Sequence, residues 1–158
     1  LAHGCRVPSD VGFKLKEPPG QPLKRMALAL REAPRYVQQE AANEIARGIL
    51  RLIDQGFISG ADPYGAAWKP PKDGHTPPMI RSGKLRRGYD VKVVRTGSVG
   101  YSVQITNSAP YAGYLQKGTG RMAPRQHVPG STLPAPYREL MKSAYDAAIA
   151  RWWAKRGG

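Results

Sequence analysis

Two short runs of alternation, four residues apart, constrain this chain more than any other feature. Tyr89, Val91 and Val93 alternate with Asp90, Lys92 and Val94. Val99, Tyr101, Val103 and Ile105 then alternate with Gly100, Ser102, Gln104 and Thr106. Apolar residues at every second position turn one face of a strand toward a core. The link Thr96-Gly97-Ser98 is short and contains glycine, so the runs predict an antiparallel hairpin over about residues 88–107. Two strands are too few for an independently stable sheet. The ribbon needs further strands from the loops, or a subunit to complete it.

Helical periodicity flanks the hairpin on both sides. Over residues 34–55, Val37, Ala41, Ile45, Ile49 and Ile53 recur every four residues, and Ala46 and Leu52 widen the stripe. Pro34 suits the first turn and Gly56 reads as the stop. Over residues 135–155, Tyr137, Leu140, Met141, Ala144, Tyr145, Ala148, Ile149 and Trp152 step by three and four into one face. Trp153 adjoins Trp152 and points elsewhere, which suits an interface. Shorter helical turns are expected over residues 80–85 and 111–116, the second stopped by Gly118 and Gly120. The order of helix, long loop, hairpin, short helix, loop and helix predicts an α+β fold, with helices packed on a small antiparallel sheet.

The chain's 158 residues suit one domain. Pro8, Pro18, Pro19, Gly20 and Pro22 make residues 1–31 a proline-rich arm, leaving residues 32–158 as a single α+β domain. Its connection over residues 56–87 is long for a compact domain. It carries Phe57, Tyr64 and Trp68, large aromatics that anchor a loop to its own domain or to a partner.

Charge narrows the partners. The chain has 25 Lys+Arg against 11 Asp+Glu, a formal net charge of +14, and residues 91–138 contain no acid. Such a surface faces something negative, either nucleic acid or an acidic protein. No helix-turn-helix, zinc-finger or RNA-recognition signature accompanies it, so tolerance of DNA is expected rather than base reading. No run approaches the roughly 18 apolar residues of a membrane span. Residues 1–16 hold no apolar core of signal-peptide length. Cys5 stands alone, and His3, His75 and His127 lie far apart and read as exposed loop residues without metal-ligand spacing. No nucleophile elbow or phosphate loop is present. The expectation is a non-enzymatic protein without cofactor or metal, in a reducing cytoplasm.

Three ordered segments carry a resemblance. The first is Asp62-Pro63-Tyr64-Gly65-Ala66-Ala67-Trp68-Lys69-Pro70. The second is Met79-Ile80-Arg81-Ser82-Gly83-Lys84-Leu85-Arg86-Arg87-Gly88-Tyr89. The third is Asn107-Ser108-Ala109-Pro110-Tyr111-Ala112-Gly113-Tyr114-Leu115-Gln116-Lys117-Gly118-Thr119-Gly120, with Arg121-Met122-Ala123-Pro124-Arg125 after it. Together they resemble the virion-morphogenesis and tail-completion (neck, head–tail connector) proteins of tailed bacteriophages. The likeness spans about residues 55–130, roughly half the chain, and the proline-rich arm departs from the family's shorter members.

The resemblance implies a structural protein of the virion, assembled in the host bacterial cytoplasm. It would form a homo-oligomeric ring at the head–tail junction, a hexamer in preference to a dodecamer. Neighbouring neck, connector and tail-tube proteins would be its partners, with genomic DNA passing the lumen in non-specific contact. No membrane is involved. The family's name covers both neck and tail-terminator positions. On this expectation Tyr64, Trp68, Tyr111, Tyr114, Leu115, Gln116 and Trp153 serve subunit or ring interfaces. Arg81, Lys84, Arg86 and Arg87, with Lys117, Arg121 and Arg125, face DNA or an acidic partner. The alternative is a small basic, non-enzymatic accessory protein that binds nucleic acid.

Overall fold

A computed structural model of the chain describes residues 34–74, 79–97 and 100–155. The arm expected over residues 1–31 lies outside the described residues, as do His3, Cys5, His75, Ser98 and Val99. The fold is α+β. Its elements among the described residues are α1 (Arg35–Ser59), α2 (Lys84–Arg87), β1 (Tyr89–Thr96), β2 (Gly100–Asn107), α3 (Ala112–Lys117) and α4 (Ala135–Ala154). The strands form one two-stranded antiparallel sheet.

α1 opens on Pro34, whose carbonyl accepts from the Val37 amide at 2.9 Å. It does not stop at Gly56 as expected. It continues to Ser59 and ends at Gly60, which adopts a left-handed φ of 69° and donates its amide to the Gly56 carbonyl. The four-residue stripe explains the difference. After Ile53 its next member is Phe57, which is 0% exposed. Burying a phenylalanine contributes about 1.5–3 kcal/mol, whereas one glycine in a helix costs about 1 kcal/mol. α2 also differs: it spans Lys84–Arg87 and so shares only its first two residues with the turn expected over residues 80–85. Gly83, at a φ of 71°, closes off any earlier start.

α1 lies between α4 and the ribbon and touches both. Toward its N-terminus, Val37 and Ala41 meet Ala148, with Tyr145, Ile149 and Trp152 packed around them. Further along, Ile45, Ile49, Ile53 and Phe57 join Trp68, Leu85, Ala109, Ala112, Tyr137 and Ala144 in the main core. The two helices approach closely at Gly48, where a methyl group would lie 2.2 Å from Leu140 Cδ1. The stripe expected on α4 faces inward through Tyr137, Ala144 and Ala148. Burial pushes the Tyr137 hydroxyl pKa up to about 12.

The hairpin pairs Tyr89 with Asn107, Val91 with Ile105, Val93 with Val103 and Thr96 with Gly100. One face is half-buried, and Tyr89, Val91, Val103 and Ile105 reach the main core. The other face carries exposed Asp90, Lys92, Gln104 and Thr106. No third strand joins the sheet among the described residues, so each strand keeps one unpaired edge.

Phe57 is the hinge of this packing. Phe57→Ala should cost about 3–5 kcal/mol, measured as a lower urea midpoint. Tyr36→Ala, on an exposed position of the same helix, should change stability by less than about 0.5 kcal/mol.

Candidate subunit-facing and DNA-facing surfaces

The three segments that carry the resemblance bond to one another. In the first, Asp62 Oδ1 accepts from the amides of Tyr64 and Ala66, both at 2.9 Å, and rounds the chain into a tight turn. That turn sends Trp68 inward, where it is 7% exposed. Its ring lies 5.4 Å from Phe57, and its Nε1 donates to the Gln126 carbonyl at 2.9 Å. The Tyr64 hydroxyl donates to the Thr132 carbonyl at 2.8 Å and accepts from the Gly130 amide at 2.9 Å. In the second and third segments, Asn107 Nδ2 donates to the Leu85 carbonyl and the Ser108 amide donates to the Gly88 carbonyl.

His127 ties α1, β1 and α3 together. It was expected as an exposed loop residue; it is 5% exposed. Its ring stacks on Phe57 with centroids 6.3 Å apart. Nε2 lies 3.1 Å from the Ala112 carbonyl, and Nδ1 is hydrogen-bonded to the Tyr89 hydroxyl. A carbonyl only accepts, so the proton sits on Nε2 and Nδ1 accepts from Tyr89. This neutral tautomer satisfies both ring nitrogens, and burial holds the imidazole pKa below its ordinary value. Burial likewise raises that of the Tyr89 hydroxyl.

Gln116 straps the following loop to α3. Its Oε1 accepts from the His127 and Val128 amides at 2.9 and 3.2 Å, and its Nε2 donates to the Val128 carbonyl at 2.8 Å. The Leu115 carbonyl accepts from the Arg125 amide, and the Leu115 side chain packs on the main core. Gly118 permits the sharp exit. Its φ is 75°, and a methyl group there would lie 2.8 Å from both the Met122 carbonyl oxygen and the Pro124 nitrogen.

These contacts sort the residues expected at an interface. Trp68, Leu115 and Gln116 are engaged within their own chain, because loop closure consumes their apolar area and polar groups. Tyr64 is exposed but commits its hydroxyl internally. Tyr111 remains exposed, as do Tyr114 at 65% and Trp153 at 58%. The Trp153 ring rests 4.7 Å from that of Trp152.

The expected DNA-facing cations also divide. Arg86 makes a two-pronged pair with Asp54 of α1, with Nη2 at 2.8 Å from Oδ2. That hydrogen bond holds the Asp54 carboxyl below its usual range. Arg81 pairs with Asp73. Arg125 donates to the Lys69 carbonyl at 3.3 Å. Lys84, Arg87, Lys117 and Arg121 have no ion pair among the described residues. Segment 81–87 therefore offers two cations without a carboxylate among the described residues, and segment 117–125 three, of which Arg125 is bonded to a backbone carbonyl.

Comparison with family models, with curated proteins and with solved structures returns no match. Among the described residues, no group of three or more His, Cys, Asp or Glu side chains could hold a metal ion. No helix there is long and apolar enough to cross a membrane.

The buried imidazole generates a pH prediction. Its folded pKa lies below the unfolded value of about 6.5, so the unfolded chain takes the proton first. Stability is therefore complete above that value and falls as pH drops through it, by at most about 1.4 kcal/mol per pH unit. Urea midpoints taken at neutral pH and near pH 5 should differ more for the wild type than for His127→Gln, whose amide does not titrate. Separately, Gly118→Ala should destabilise the isolated chain by about 1–3 kcal/mol, read from thermal unfolding without any partner present.

Proposed function

We propose that this chain is a structural virion protein of a tailed-bacteriophage head–tail junction, a ring subunit that joins or completes the tail while DNA passes through. The observation that carries this reading is the edge of β2. Its eight residues, Gly100–Asn107, contain neither a charged side chain nor a proline. Charges and prolines are the usual means of keeping an edge strand from pairing with another chain. β1, by contrast, carries Asp90, Lys92 and Arg95.

A ribbon of two half-buried strands is an incomplete sheet. A strand from a neighbouring subunit would complete it on the β2 side, and repetition around an axis would close a ring. Exposed Tyr111, Tyr114 and Trp153 supply further contact area of the kind enriched at protein interfaces. Unpaired cations suit a lumen that holds DNA without reading it.

Imaging of particles from a phage or prophage lacking this gene tests the proposal. The expected result is separate heads and tails, with joining restored by the wild-type gene. Joined, infectious particles in its absence would overturn it. The edge is tested by Ser102→Lys, Gln104→Lys and Thr106→Lys together, which place charge along β2. Restoration of joining should fall by at least about tenfold while the isolated chain melts within a few degrees of the wild type. Full restoration would remove the edge from the interface.

A further inference from the structure

We infer that a shallow cleft at the base of the hairpin is a phosphate-group site that grips one phosphodiester of the nucleic-acid backbone. It rests on the proposed passage of DNA and specifies where the chain would touch it. The cleft is lined by Ser82, Lys84, Arg87, Gly88 and Ser108. Among the described residues, no acidic side chain lines it.

Its cations are held available by what their neighbours do. Arg81 and Arg86, interleaved with them in sequence, are paired with Asp73 and Asp54. Lys84 and Arg87 have no carboxylate among the described residues. Arg87 is fixed in place: its Nη2 donates to the Ser82 carbonyl at 2.7 Å. Its guanidinium passes so close to Gly83 that a methyl group there would lie 2.5 Å from Nη1. Glycine at 83 thus serves both the left-handed backbone and the approach of the guanidinium.

The hydroxyls add direction to the charge. Ser82 Oγ lies 3.4 Å from the Lys84 amide, which donates to it, so its own proton stays available. The Ser108 hydroxyl has no partner among the described residues. It is brought to the cleft by the Ser108 amide bond to the Gly88 carbonyl at 2.9 Å. Two cations and two hydroxyl donors around one opening match the oxygens of a phosphate, and such contacts position a duplex without reading its sequence.

Fluorescence anisotropy of the whole chain with a labelled DNA duplex, titrated across salt concentrations, tests the site. Lys84→Ala with Arg87→Ala should weaken binding about tenfold and flatten the slope of log affinity against log salt by about one, the value for a single phosphate. Ser82→Ala with Ser108→Ala should weaken binding about threefold and leave the slope unchanged. A general positive field predicts the opposite pattern. There, Arg95→Ala with Lys155→Ala would equal the cationic pair, and the serine pair would change nothing. Either result overturns the site.

Amide shifts of Gly83, Gly88 and Ser108 distinguish the phosphate source. Shifts of Gly83 and Gly88 at sub-saturating DNA that the serine pair diminishes assign the cleft to the backbone of a nucleic acid. Shifts with inorganic phosphate alone, without DNA binding, overturn the nucleic-acid assignment. Binding of a polyglutamate chain in place of DNA overturns the phosphate site itself. None of these readouts depends on particle joining, so the cleft and the junction ring fail separately.

Discussion

Among the described residues the two-stranded ribbon has one face to bury and no neighbouring strand to help it, so its packing depends on what α1 places beneath that face. α1 touches both strands and α4. Its stripe therefore has two tasks along its length, closing on Ala148 near the start and on the ribbon side further on. Phe57 sits where the second task ends. Trp68, Tyr89 and His127 each place a ring within 6.3 Å of it, measured between centroids. The irregular segments are ordered because their aromatic members reach this one ring, and their polar atoms then find backbone partners around it.

The same logic governs the charge. A formal +14 describes the whole chain, but a cation attracts a distant anion only to the extent that no carboxylate stands beside it. Asp54 lies 32 residues before Arg86 in sequence and beside it in space. Asp73 does the same for Arg81. The basic run 81–87 is thus two partly neutralised arginines and two available cations. The available pair faces a cleft whose other members are hydroxyls.

Elements with a short repeat were legible in the sequence. The hairpin, both long helices and the inward stripe of α4 follow from periods of two and of three to four, which depend only on neighbouring residues. What was hidden depends on residues far apart. Nothing near Gln126-His127-Val128 announces that Tyr89, 38 positions earlier, will hydrogen-bond its ring. The stop at Gly56 failed for a related reason: a local helix breaker was weighed without the buried Phe57 that follows it. The motif that holds Trp68, Leu115 and Gln116 does not say, as sequence, whether they face inward or outward. For Gln116, three hydrogen bonds with backbone groups of His127 and Val128 decide that within the chain.

That inward use of the motif residues bears on how a ring of such subunits would be built. A side chain already bonded to its own loop gives a neighbour little to hold, so adhesion must come from groups the monomer leaves unspent. Among the described residues such groups include the unpaired backbone edge of β2 and the exposed rings of Tyr111, Tyr114 and Trp153. Backbone edges are geometrically strict, because pairing fixes register and face together. Aromatic side chains are more forgiving, since they contribute area with few rotatable bonds. In the proposed ring, the edge would set the angle between subunits and the aromatics would add the area that makes it hold. The motif, by fixing the loop beneath Tyr111 and Tyr114, would act on assembly through the shape of the monomer rather than by touching the neighbour.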